Sequence, residues 1–100
     1  MNNPLDKICY AVFLIPAGSA SLTSEAIARH AGHLRALDDE GKLLLAGPFI
    51  DHPTGMLILQ VKSKEDAKMI LDEDPLVREG FRTYEIRTWL MANKENNYLP

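Results

Sequence analysis

With a single cysteine, Cys9, the chain cannot close a disulfide within itself and offers no pair of thiolates at metal-ligand spacing. Cys9 lies in the apolar run from Ile8 to Ile15, where it reads as a buried small hydrophobe rather than a reactive thiol. That run is far shorter than the roughly 20 apolar residues a bilayer-crossing helix needs, so no membrane is expected as a partner. The N-terminal residues lack the basic region, apolar stretch and small-residue cleavage site of a secretory signal. Together with the missing disulfides, this sets the expected location as cytoplasmic. Basic stripes are also missing. The net charge is -3, and without clustered Lys and Arg to displace counterions nucleic acid is not an expected partner. No glycine-rich cradle leads into a Lys-Ser/Thr pair, so Gly47–Pro48 is not a phosphate loop; it reads as a place where the backbone passes closely by a neighbour or ligand. Repeats, low-complexity tracts and linkers are absent as well.

What is present is one domain's worth of chain, 1–100, with 46% hydrophobic and 25% charged residues, the balance of an ordinary globular protein. Lys7 to Ile15 is rich in β-branched and aromatic residues and is stopped by Pro16, Ala17 and Gly18, which predicts a strand. Both of its alternating faces are apolar, so it should be covered on both sides. Thr23 or Ser24 can cap a helix over about Ser24–Asp39, which Gly41 would end. At about 100° per residue, Ala26, Ile27, His30, Ala31, Leu34 and Leu37 share its apolar stripe. Lys42 to Phe49 reads as a second strand broken by Gly47 and Pro48, and Gly55 to Val61 as a third. Ser63-x-x-Asp66 opens a second helix with Ala67, Ile70 and Leu71 inward. Asp74–Pro75 interrupts it, and Asp74 can cap a short helix running to Arg78. Phe81 to Met91 alternates as a fourth strand, and residues 92–100 form a polar tail that should order only by docking on something.

The order β-α-β-β-α-β predicts an α+β, ferredoxin-like split βαβ fold, with a four-stranded antiparallel sheet and two helices on one face. The opposite sheet face spans roughly 400 Å². That is about as much contiguous apolar surface as a monomer leaves open. A second copy is therefore expected to pack on it, giving a homodimeric α+β barrel with a pocket near the sheet; coverage by the chain's own tail is the alternative.

The string His33-Leu34-x-x-Leu37-x-x-x-Gly41-x-Leu43-x-x-Ala46-Gly47-Pro48-Phe49, followed by Gly55, Glu65–Ala67, Asp74-Pro75, Gly80, Tyr84, Ile86 and Trp89, resembles the YciI-like (YCII-related) family over about residues 7 to 90. The resemblance implies a dimeric ferredoxin-like barrel, kinship with muconolactone isomerase, and a His and an Asp lining a pocket. One activity in that family removes chloride from a chlorinated hydroxyhydroquinone. Carried over by position, the family His falls on His33 and the family Asp on Asp74. Many relatives carry Arg three residues before that His; here the place holds His30, and the nearest guanidinium is Arg29.

Imidazole titrates near neutrality, and an adjacent carboxylate fixes its tautomer and steadies it once protonated. His33 lies about 40° beyond Leu37 on the helix wheel, at the stripe's edge. It can therefore serve as a general base oriented by Asp74; equally, it can satisfy a backbone group while Asp74 only caps a helix. His30, nearer the middle of the stripe, reads as a core histidine or a substrate contact alongside Arg29, Gly47 and Pro48. His30 and His33 stand at i, i+3, but no HExxH-like pattern accompanies them, so no metal and no cofactor are expected. Asp51 and His52 read as a solvated turn. The functional expectation is cofactor-free proton transfer, of lyase or isomerase type, on a small hydroxylated cyclic or aromatic compound. A non-catalytic ligand-binding or regulatory module is the rival, and a purely structural dimeric subunit the third reading.

Overall fold

A computed structural model describes residues 7–99 of the chain. Strand β1 (Ile8–Pro16) leads to helix α1 (Ser24–Asp39), strands β2 (Leu43–Pro48) and β3 (Gly55–Leu59), helices α2 (Lys64–Glu73) and α3 (Pro75–Arg78), and strand β4 (Arg82–Leu90). The four strands form one antiparallel sheet in the order β2-β3-β1-β4, the ferredoxin-like arrangement. Local chemistry sets the ends of α1. The Thr23 hydroxyl accepts the Ala26 N–H at 3.1 Å. At the other end Gly41, with φ 74°, lets the Lys42 N–H reach back to the Leu37 carbonyl at 2.9 Å, a Schellman closure. Gly80, with φ 80°, does the same after α3, where the Phe81 N–H reaches the Leu76 carbonyl at 3.0 Å.

The two faces of β1 are both apolar, as its sequence predicts, but they are covered differently. Tyr10, Val12 and Leu14 face the helices and join Leu37, Leu57, Leu59, Ala67, Leu71 and Ile86 in the main core. Cys9, Ala11 and Ile58 form a second, smaller cluster on the opposite face, with Phe13, Met56 and Met91 against it. Cys9 is 0% exposed and its thiol is pushed up by burial, in keeping with a packing role. Beyond that cluster the outer face stays open: Leu45, opposite Ile58 in the register, is 67% exposed, and Trp89, opposite Cys9, is 46% exposed.

Two details depart from the sequence reading. Gly47 and Pro48 do not break β2; the strand runs through both and bulges at Leu44 instead. Pro48 can stay because β2 is an edge strand, where a missing N–H costs no ladder bond. The tail also orders locally. Asn93 and Asn96 form a capping box around a 3-10 turn at Lys94–Asn96, Asn96 Nδ2 donates to the Met91 carbonyl at 2.8 Å, and Lys7 pairs with Glu95.

Tyr84 donates its hydroxyl to Asp72 Oδ1 at 2.6 Å, tying β4 to the end of α2. Desolvation, then that bond and the Asp72 charge, push the phenol up to about 12. The ordinary value is about 10, so the folded protein holds this proton more tightly than the unfolded chain. The resulting stability is whole below about pH 10 and is lost as pH rises toward about 12. Urea unfolding across that window should show a falling midpoint in the wild type and a flatter one in Tyr84→Phe.

Candidate active site

Asp74 sits where α2 stops and α3 starts, and its backbone explains most of what surrounds it. With φ -66° and ψ 127° it leaves the helical path, because the residue before a proline avoids the helical region. Its side-chain Oδ1 accepts the Leu76 N–H at 2.9 Å and so caps α3, with Pro75 in the first turn. Its own N–H bonds to the Leu71 carbonyl at 3.1 Å, which leaves the Ile70 carbonyl free for another donor. The carboxylate is 0% exposed, and a buried carboxylate needs partners.

The partner is His30. Its Nδ1 lies 2.8 Å from Asp74 Oδ2 and 3.0 Å from Oδ1. The expected pairing of His33 with Asp74 does not form. His33 Nε2 instead donates to the Ile70 carbonyl at 3.1 Å, the one that the turn at Asp74 set free. The difference is rotation. His30 and His33 are three residues apart on α1, about 60° round the helix. Helix α1 packs against α3, and His30 is the one turned toward the start of α3. His33 takes the backbone-satisfying role, while Asp74 both caps a helix and orients an imidazole.

A carboxylate facing Nδ1 favours the His30 tautomer with its proton on that nitrogen, the one in which Nε2 keeps a lone pair. His30 borders a cavity of about 410 Å³ between α1 and the helix-side face of the sheet, a size usual for small-molecule sites. Its walls are mainly apolar, with Leu14 from β1, Leu34 from α1, Leu57 from β3 and Leu76 from α3. Gly47 and Pro48, both expected at the site, line it from β2. A Cβ added to Gly47 would meet no atom within 4 Å among the described residues, so none of them makes the close approach expected there.

Arg29 does not border the cavity. Its Nε and Nη2 donate to Glu79 at 3.1 and 2.6 Å, a fork that ties α1 to the end of α3. Arg82, which the sequence reading passed over, does line the cavity. Its signal was present: extending the alternation of Tyr84 and Ile86 back two residues puts Arg82 on the same, helix-side face. Asp51 and His52 rim a different hollow on the outer sheet face, together with Phe13, Phe49 and Glu85, and the Thr54 N–H donates to His52 Nδ1 at 3.2 Å. Among the described residues no three or more His, Cys, Asp or Glu side chains converge as metal ligands. Nor is any helix there long and apolar enough to cross a membrane.

The family model for the YCII-related domain matches residues 9–90. The uncharacterized protein YjpA of Bacillus subtilis (strain 168) is 30% identical over 80 residues, 80% of this chain and 94% of that protein. Among solved structures, 5-chloro-2-hydroxyhydroquinone dehydrochlorinase (TftG) from Burkholderia phenoliruptrix AC1100, in complex with 2,5-dihydroxybenzoquinone, superposes with a TM-score of 0.62 at 19% identity. The match covers 88% of this chain and 99% of that one, and it bears out the ferredoxin-like architecture.

Proposed function

This chain belongs to the YCII-related domain family, and on that premise we propose that it is a small-molecule enzyme. The reaction is cofactor-free proton transfer, of lyase or isomerase type, on a hydroxylated ring compound. The observation that carries this reading is the His30–Asp74 pair at the wall of an apolar cavity. His30 Nε2 takes a ring hydroxyl's proton, the electron pair moves into the ring, and the imidazolium returns the proton to a ring carbon. Asp74 keeps the imidazole in the receptive tautomer and offsets the charge it gains. Where the protonated carbon bears a halide, loss of a second hydroxyl proton expels the halide with its bonding pair, so the sum is loss of HX. The activity named for the TftG neighbour is a loss of this kind, which supports trying such rings first.

The open outer face of the sheet, with Leu45, Phe49 and Trp89 exposed, supports a homodimer packed sheet to sheet. The buried, lone Cys9 is consistent with a cytoplasmic protein, since nothing in it calls for an oxidising compartment.

The test is a panel of hydroxylated and halogenated monocyclic aromatics, incubated with the protein in chelator-treated buffer and followed by absorbance and halide release. Turnover of at least one compound is expected. Saturable binding with no product after long incubation would overturn the catalytic reading in favour of a ligand-binding module.

A further inference from the structure

We propose that Arg82 is the anchor for an anionic oxygen, so that the cavity selects ring compounds carrying an ionised carboxylate or phenolate. The inference rests on this cavity being the ligand site, but not on any turnover there. Arg82 and His30 are the only ionisable side chains that line the cavity among the described residues; every other wall group is apolar or backbone. A chain with a net charge of -3 has thus placed no carboxylate on this wall and one guanidinium. Among the described residues the side-chain ion pairs are those of Lys7, Arg29, Lys42, Arg78 and Arg87 with carboxylates, and that of His30 with Asp74. Arg82 takes part in none of them.

The guanidinium is held in place without being neutralised. Nη1 donates to the Phe81 carbonyl at 2.9 Å, and that spends one of its five N–H groups. The backbone beneath is fixed as well: the Gly80 turn delivers Arg82 to the first position of β4, opposite Pro16 of β1. A positioned, half-buried guanidinium in an apolar wall is suited to an oxygen anion, which it can grip through two N–H groups at once. With His30 on the same cavity, one end of the ligand is fixed by charge while the other meets the imidazole. A neutral ring would fill the apolar walls and leave the guanidinium without a partner.

Matched probes test this in direct titrations near neutral pH, followed by NMR shifts of cavity methyl groups: benzoate against benzamide, and dinitrophenolate against dinitroanisole. The unaltered protein should bind each anion roughly ten- to a hundredfold more tightly than its neutral counterpart. The two pairs separate carboxylate from phenolate recognition; preference in either pair supports the proposal. Arg82→Gln should remove the preference while leaving affinity for the neutral probes within about twofold, and Arg82→Lys should keep part of it. Equal affinity for anion and neutral probe in the wild type, preserved preference in Arg82→Gln, or no binding of any probe would each overturn the proposal. Comparing probes on the wild type needs no variant to fold. Anion selectivity without turnover of any panel compound would sink the proposed reaction and leave this inference standing.

Discussion

His30→Gln is expected to lower turnover by about 10²- to 10⁴-fold, the usual worth of a general base, while His33→Ala leaves it within a few-fold. Glutamine at position 30 can still donate to the buried Asp74 carboxylate, so the site stays built, but an amide cannot take up a proton. His33 meets a backbone carbonyl of α2 and does not line the cavity; its loss should appear as stability, about 1 kcal/mol for one uncompensated carbonyl. Steady-state kinetics on the best panel compound checks both variants. An active His30 variant beside a dead His33 variant would reverse the assignment of the two imidazoles.

The second large effect is on folding. Asp74→Ala should cost about 2–4 kcal/mol, which for a domain of this size corresponds to roughly 10–25 °C in Tm. One carboxylate serves three purposes here: it caps α3 through the Leu76 N–H, it pairs with His30, and it fills buried space. A lost cap alone costs about 1 kcal/mol, and an unpaired buried donor about 1–3 kcal/mol more. Asp74→Asn keeps an amide oxygen for Leu76 and should lose only about half as much. The exposed Asp38→Ala gives the baseline, within about 0.5 kcal/mol. Urea unfolding at neutral pH ranks the three, and an Asp74→Ala loss no larger than the Asp38 one would mean the buried carboxylate contributes little to holding α1 to α3.

The fold was legible because each of its signals is local. The apolar faces of β1, the alternation of β4, Thr23 before α1, Gly41 after it and Asp74–Pro75 between α2 and α3 each act through chemistry within a few residues. Asp74 itself was legible for the same reason, as a cap before a proline. Which imidazole meets it was not. That depends on how α1 is rotated against α3, a matter of packing that shifts contacts by about 60° between His30 and His33. The sequence placed His30 nearer the centre of the apolar stripe, and a central position is the one that faces a packed neighbour. Positional resemblance pointed to the other residue. Arg29 was misplaced for a related reason: a helix residue next to the site in sequence can sit on the next face, and here Glu79 captures it. The tail's turn rests on an Asn93–Asn96 capping box, a local signal that its polar composition obscured.

All of the chemistry depends on which imidazole holds its proton against Asp74, and NMR of the histidine ring nitrogens reads this directly. In the wild type the neutral His30 ring should carry its proton on Nδ1 and the neutral His33 ring on Nε2. Asp74→Asn should then move the His30 signals strongly and those of His33 hardly at all. The opposite pattern, with His33 responding to Asp74 while His30 stays still, would contradict the account at its root.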